Sequence, residues 1–207
     1  MADSALGHTD GTDKQIQANS SLVGGVTKVR EHVIIGAHSD PTYTLVLSSI
    51  SIATSAAHVA IIEADGTNYL RIHRIRVEQV VGATSATLAE FRVYRTTTAS
   101  TGVTALSAYA FDDSSDTSPY AGVTGSLPSG KGTEGALLLK KRIQMLTTAQ
   151  VAATTTNPNY WEWKATERAK DIIVQAPTTN GIVLKIVTGI ATATVDVEIE
   201  FKNTNYL

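Results

Sequence analysis

With 207 residues, 17 Lys+Arg against 19 Asp+Glu and a net charge of −2, the chain carries no global field that would draw it onto nucleic acid or an anionic membrane, so neither is expected as a partner. The length suits one sizeable domain with an extension and is too short for two ordinary domains with separate cores. Cysteine is absent, which excludes disulfides, thiolate metal sites and cysteine nucleophiles and fits a product of the cytoplasm.

The opening residues lack a basic n-region and an apolar h-region, and no later run has the apolar length to span a bilayer, so neither secretion by a cleaved signal nor membrane insertion is expected. From Met1 to about residue 40 the chain is rich in Gly, Ser and Asp. Leu22, Val23, Val26 and Val29 are scattered among glycines and charges before the short apolar run Val33-Ile34-Ile35. A segment of this kind buries too little surface to fold alone, and residues 1–40 read as an extended N-terminal arm whose apolar run is a candidate interface.

Residues 41–207 alternate as strands do. Val195, Val197, Ile199 and Phe201 are interleaved with Asp196, Glu198, Glu200 and Lys202, and Ala89, Phe91 and Val93 with Glu90, Arg92 and Tyr94. Further strands are predicted at Tyr43 to Ile52, His58 to Ile62, Tyr69 to Val80, Val103 to Tyr109, Tyr160 to Lys164, Asp171 to Gln175 and Gly181 to Val187. Between Leu70 and Val77 the apolar parity switches near His73-Arg74, the mark of a β-bulge or of a strand crossing between sheets. Ala136 to Leu146 fits a helix face or a strand face, with strand preferred. Asp112 to Gly135 is rich in Ser, Gly, Pro and Asp and is expected as a long surface loop. Roughly eight to ten strands with short connections point to an all-β fold, an antiparallel β-sandwich of jelly-roll-like type.

No motif brings together a catalytic set, and no catalytic, cofactor-binding or metal-ligating residues are assigned. Gly125 to Thr133 nearly spells a phosphate loop, but a loop precedes it where a buried strand is required, and Gly132 stands where a magnesium-binding hydroxyl belongs. His8, His32, His38, His58 and His73 have no metal-ligand spacing and are expected at the surface or an interface. Asp112-Asp113-Ser-Ser-Asp116 lacks the central Gly and closing Glu of a calcium loop, and there is no Gly-x-Ser-x-Gly elbow. Trp161 and Trp163 share one face of a strand, where they either close a core or stack a sugar or base, and packing is preferred. Asp196, Glu198 and Glu200 form an acidic ladder, and Arg71, Arg74, Arg76, Arg92 and Arg95 lie on strands expected nearby. Of these, Arg74, Arg76 and Arg92 with the ladder are candidate interface residues, complementary stripes suited to head-to-tail contacts between copies.

Residues 69–80, Leu88 to Gly102, Trp161-Glu162-Trp163, Asp171 to Gln175 and the terminal valine alternation together resemble the tailed-bacteriophage virion proteins that decorate or cement the capsid. The likeness covers most of the chain after Tyr43, is one of style rather than of a diagnostic motif, and carries over no site residues. It implies a virion structural protein without enzymatic activity, made in the host cytoplasm, with the major capsid protein or other virion subunits as partners. It also implies a homo-oligomer, a trimer by analogy, whose arm reaches along neighbouring subunits. The alternative is a carbohydrate- or receptor-binding β-module of a phage tail or connector, using Trp161/Trp163 or the loop at 112–135.

Overall fold

A computed structural model describes residues 16–23, 26–33, 42–64, 69–102, 105–106, 108–111, 122–123, 130–153, 159–166, 170–174 and 181–204. The chain divides into two compact units, Met1–Ser39 and Asp40–Leu207. The first holds β1 (Ile16–Val23) and β2 (Val26–Val33), paired antiparallel from Ile16↔Val33 to Val23↔Val26. The segment read as an extended arm thus contains an antiparallel strand pair, and the sequence between the two strands is Gly24-Gly25.

The second unit is a sandwich of two antiparallel sheets. One has the order β11-β5-β14-β3-β8, from Tyr160–Lys164, Tyr69–Val81, Thr194–Thr204, Thr42–Ser51 and Tyr109–Ala110, with β12 (Ile172–Val174) also on β5. The other has the order β10-β6-β13-β4-β9-β7, from Glu134–Met145, Thr87–Thr96, Gly181–Ile186, His58–Glu63, Gly122–Val123 and Ala105–Leu106. The long strands form nested antiparallel pairs: β6 with β10 innermost, then β5 with β11 and β12, then β4 with β13, and β3 with β14 outermost. Nested pairs whose strands alternate between two sheets are a ribbon rolled into a jelly roll.

Alternation decides which faces meet. Leu45, Leu47, Ile72, Ile75, Val77, Val197, Ile199 and Phe201 from the first sheet, with Ala60, Ile62, Phe91, Val93, Ile182, Leu184 and Ile186 from the second, form one buried cluster. Tyr43 and Phe201 stack within it, their rings 5.6 Å apart. The parity switch in β5 is a bulge: Glu200 pairs with Arg74 and Phe201 with Ile72, so His73 is the unpaired extra residue and β5 stays in one sheet. A second bulge lies in β3, where Val195 pairs with Ile50 and Val197 with Leu47. There Ser49 has a φ of 56°, and its N–H donates to Asp196 Oδ1 at 2.7 Å.

Two expectations about the strands are corrected. Val103 to Tyr109 is not one strand: Ala105–Leu106 joins one sheet and Tyr109–Ala110 the other. The segment 112–135 is not all loop, because Gly122–Val123 pairs with β4 and β7 and Glu134 begins β10, although residues 112–121 and 124–129, with the Asp112–Asp116 cluster, lie outside the described residues. Ala136 to Leu146 lies largely on β10, as the preferred strand reading has it. After β10 comes a short helix, Thr148–Ala153, started by a capping box: the Thr147 N–H donates to Gln150 Oε1 and the Gln150 N–H to Thr147 Oγ1.

Candidate functional site

The acidic ladder and the arginines meet inside one sheet. Glu198 lies opposite Arg76, and Glu200 opposite Arg74, on adjacent strands β14 and β5. Arg74 Nε donates to Glu162 Oε1 at 2.6 Å, Nη1 donates to Glu200, and Nη2 stands 3.6 Å from Glu198 Oε2. Burial alone would lower the Arg74 pKa, but its bonds to Glu162 and Glu200 outweigh that and hold it above the ordinary value. Arg76 pairs with Glu78 at 2.7 Å and covers the Tyr160 ring, and Asp196 holds the β3 bulge. Arg74 and Arg76 of these stripes are thus paired with carboxylates of the same protomer. Beside them, at the bulge, His73 Nδ1 and Asp171 Oδ1 are 2.7 Å apart, and Arg71 Nε donates to Asp171 Oδ2 at 3.2 Å.

The outer face of the second sheet is organised around two glutamates. Glu90 on β6 accepts from Arg92 Nε at 2.6 Å and from Arg142 Nε at 2.8 Å, with Lys140 Nζ 3.4 Å away. Hydrogen bonds from Arg142 and Arg92 hold its pKa down at about 2. Arg92, a candidate interface residue, is likewise spent locally, its Nη1 also donating to Tyr94 Oη.

Glu134 anchors a strap. Residues 97–101 and 130–133 are joined by Thr97 N–H to Thr133 O, by Thr101 and Gly130 exchanging backbone bonds, and by the Gly132 N–H donating to Ser100 Oγ. The strap is fastened to both ends of β4: the Ser100 N–H donates to Glu63 Oε1, Lys131 Nζ to the Ala56 carbonyl, and Glu134 Oε1 lies 2.9 Å from His58 Nε2. Lys185 Nζ donates to both Glu134 oxygens at 2.7 and 2.9 Å and lies over the Tyr94 ring. Between the two ends of β4, Ile61 packs with Val183 and Tyr94 in a second small apolar cluster. His58 is fully buried within the sandwich, where a place at the surface or an interface was expected. Burial lowers its pKa, against the opposing pull of Glu134. Glu134 is pushed up by burial but brought below the usual carboxylate value by Lys185 and His58 together.

The phosphate-loop likeness ends here. In the described part of Gly125 to Thr133, the Gly132 N–H is committed to Ser100, Lys131 to a backbone carbonyl, and the element that follows is a strand. A Cβ on Gly132 would stand 2.3 Å from the Thr98 carbonyl oxygen, so this glycine serves the close approach of two backbones. Trp161 is in the core, and the partly buried Trp163 packs against that core. Val33 pairs with Ile16 in the hairpin, while Ile34 and Ile35 lie outside the described residues, as do His8 and His38.

Residues that periodicity did not mark carry much of the polar structure. Gln79 is buried on β5, yet it accepts from the Leu146 N–H and from Asn159 Nδ2 and donates to the Leu146 carbonyl, tying the two sheets together at one end. A shallow cavity of about 230 Å³ lies between residues 83–88 and 188–191, lined by Thr84, Leu88, Gly189 and Ile190 among others. Among the described residues no three His, Asp or Glu side chains are grouped to hold a metal ion, and no helix is long and apolar enough to cross a membrane. A scan against protein-family models finds no match to this chain, and a search of curated proteins finds no similar sequence.

Proposed function

We propose that this chain is a virion structural protein, a capsid decoration (cement) protein of a tailed bacteriophage that stabilises the head by burying surface between subunits. The observation that carries the reading is the nested-ribbon jelly roll, an architecture that recurs in capsid and lectin domains. The lectin-like alternative, a carbohydrate- or receptor-binding module of a tail or connector, loses its best residues, because Trp161 is in the core and Trp163 packs against it. Mechanically the protein does no chemistry. Whatever binds the assembled shell and not its dispersed subunits shifts the equilibrium towards the shell by mass action. Its partners are the major capsid protein and further copies of itself, and its place is the virion.

The test is purification of assembled particles from cells that make the chain, with its copy number measured against the major shell protein. Stoichiometric retention, and particles that lose thermal stability when the chain is removed, are the expected results. A chain that stays with the soluble fraction, or occurs only at a few copies per particle, would overturn the decoration reading.

A further inference from the structure

The outer face of the second sheet carries an apolar cluster that solvent does not reach. Ala60 and Ile62 of β4, with Ile182 and Leu184 of β13, belong to the main core, so Ile61 and Val183 between them point away from it. Both are nevertheless no more than 1% exposed. The strap of residues 97–101 and 130–133 is tied down on either side of Ile61. One tie is the Ser100 N–H on Glu63. The other is Glu134 on His58, with Lys131 on the Ala56 carbonyl beside it.

His58 makes the second tie depend on protons. A carboxylate only accepts, so neutral His58 carries its hydrogen on Nε2, towards Glu134 Oε1, and its Nδ1 is a bare acceptor. Nδ1 is buried and has no hydrogen-bond partner among the described residues. A second proton would go to that atom and create a buried donor with nothing to accept from it. It would also bring a third positive charge to a site with one carboxylate. The charged groups that bear on His58 are Glu134 from β10, Lys185 from β13 and Lys131 from the strap, and Glu134 already accepts from Lys185 with both oxygens. A closed strap therefore resists protonation of His58, and burial lowers its pKa accordingly. A lifted strap lets water reach the imidazole, which then takes up a proton near its ordinary value of 6.5. The first tie behaves in the opposite sense: burial raises the Glu63 carboxyl, so proton uptake there favours the folded arrangement and acid does not loosen the Ser100 end. We propose that the strap is an acid-released cover, whose His58 end lifts from β4 in mildly acidic solution and uncovers Ile61 and Val183 while the main core stays folded. This holds whether or not the chain decorates a shell.

The absence of cysteine makes the test direct. In the full-length chain, Val183→Cys puts a single thiol in the covered cluster and Val197→Cys a single thiol in the main core. Labelling by a dipyridyl disulfide, divided by the rate for the same thiol in the urea-unfolded chain at the same pH, cancels thiol ionisation and gives the opening constant at each site. From about pH 7.5 to about pH 5, Val183→Cys labelling is expected to rise by up to about tenfold for each pH unit below about 6.5, one proton being taken up per opening. It should be indifferent to about 1 M urea, because lifting the strap exposes little surface. Val197→Cys should label far more slowly, and faster in urea. Adding His58→Gln, which keeps an N–H for Glu134 but does not titrate, should abolish the rise. Val183→Cys labelling no faster than that of Val197→Cys at every pH, labelling that does not change with pH, or a rise that survives His58→Gln would each overturn the proposal, the first two without any change at His58.

Discussion

Replacing Glu134 by Gln keeps the shape of the strap's anchor and removes only its charge. The Glu134 and Lys185 side chains are 25% and 18% exposed, so water screens the pair far less than it would at a free surface. At a separation near 2.8 Å and an effective dielectric of about 20, the attraction is roughly 6 kcal/mol before desolvation, and partial burial of both ions offsets about half of it. The expected loss is therefore about 2–3 kcal/mol, or about 5–10 °C in Tm for a chain of this size. Urea unfolding of Glu134→Gln, Lys185→Met and the double variant at neutral pH isolates the pair term. The pH dependence gives a second signature. His58 has a folded pKa below its unfolded value of 6.5, so the unfolded chain binds the extra proton and stability falls as pH drops from about 6.5 towards the folded value. Without the Glu134 charge that opposes burial, His58 is depressed further, and the variant should lose stability over a wider acid range. Below about 4.5 the parent begins to lose what Glu134 contributes, because that group's folded pKa is also depressed, and the gap between parent and variant should narrow. A coupling below about 0.5 kcal/mol, the range of an exposed pair, together with a gap that does not change with pH, would refute the reasoning.

Other perturbations test the fold that positions these groups. Val197→Asp places an unpaired carboxylate at a fully buried position of β14 and should abolish the β-type circular dichroism spectrum, since such a charge costs several kcal/mol against a total stability of about 5–15. Ser49→Gly should be neutral or stabilising by up to about 1 kcal/mol in urea titration, because the left-handed conformation that costs an L-residue about 1–2 kcal/mol is free to glycine. Asp196→Ala should lower the unfolding free energy by about 1–2 kcal/mol through loss of the charge-assisted bond to the Ser49 N–H.

What was legible in the sequence depended on how many faces of a strand are wet. β14 shows water on one face and core on the other, so strict alternation of Val195 to Phe201 with Asp196 to Lys202 gave both its existence and its orientation. The irregularity in β5 was legible for the same reason, as a break in that alternation at His73, and only the strand pairing decides for a bulge over a crossing between sheets. β4 and β13 are buried on both faces, and their runs of apolar residues carry no period. His58 was therefore misplaced, because the one polar residue in such a run gives no sign that a glutamate 76 positions away will meet it. Gln79 was silent for a related reason: its partners, Leu146 and Asn159, are backbone and amide groups supplied by turns whose positions no local pattern fixes. The ladder and the arginines were legible as charges, but not as partners within one sheet, because pairing across strands depends on sheet order, which a jelly roll scrambles relative to the sequence.

That scrambling bears on how a protein of this architecture can join an assembly. β5 and β14 lie far apart in the chain yet adjacent in the sheet, so Arg74 and Arg76 find their carboxylates at home. Glu90 is likewise saturated by Arg92, Lys140 and Arg142. A partner approaching either outer face would have to break ion pairs already formed and desolvate their members, a cost that new pairs of the same kind would at best return. Charges already paired from within thus leave the two outer faces little electrostatic gain to offer a partner, so an interface built on them would have to rest on shape and apolar burial rather than on new ion pairs.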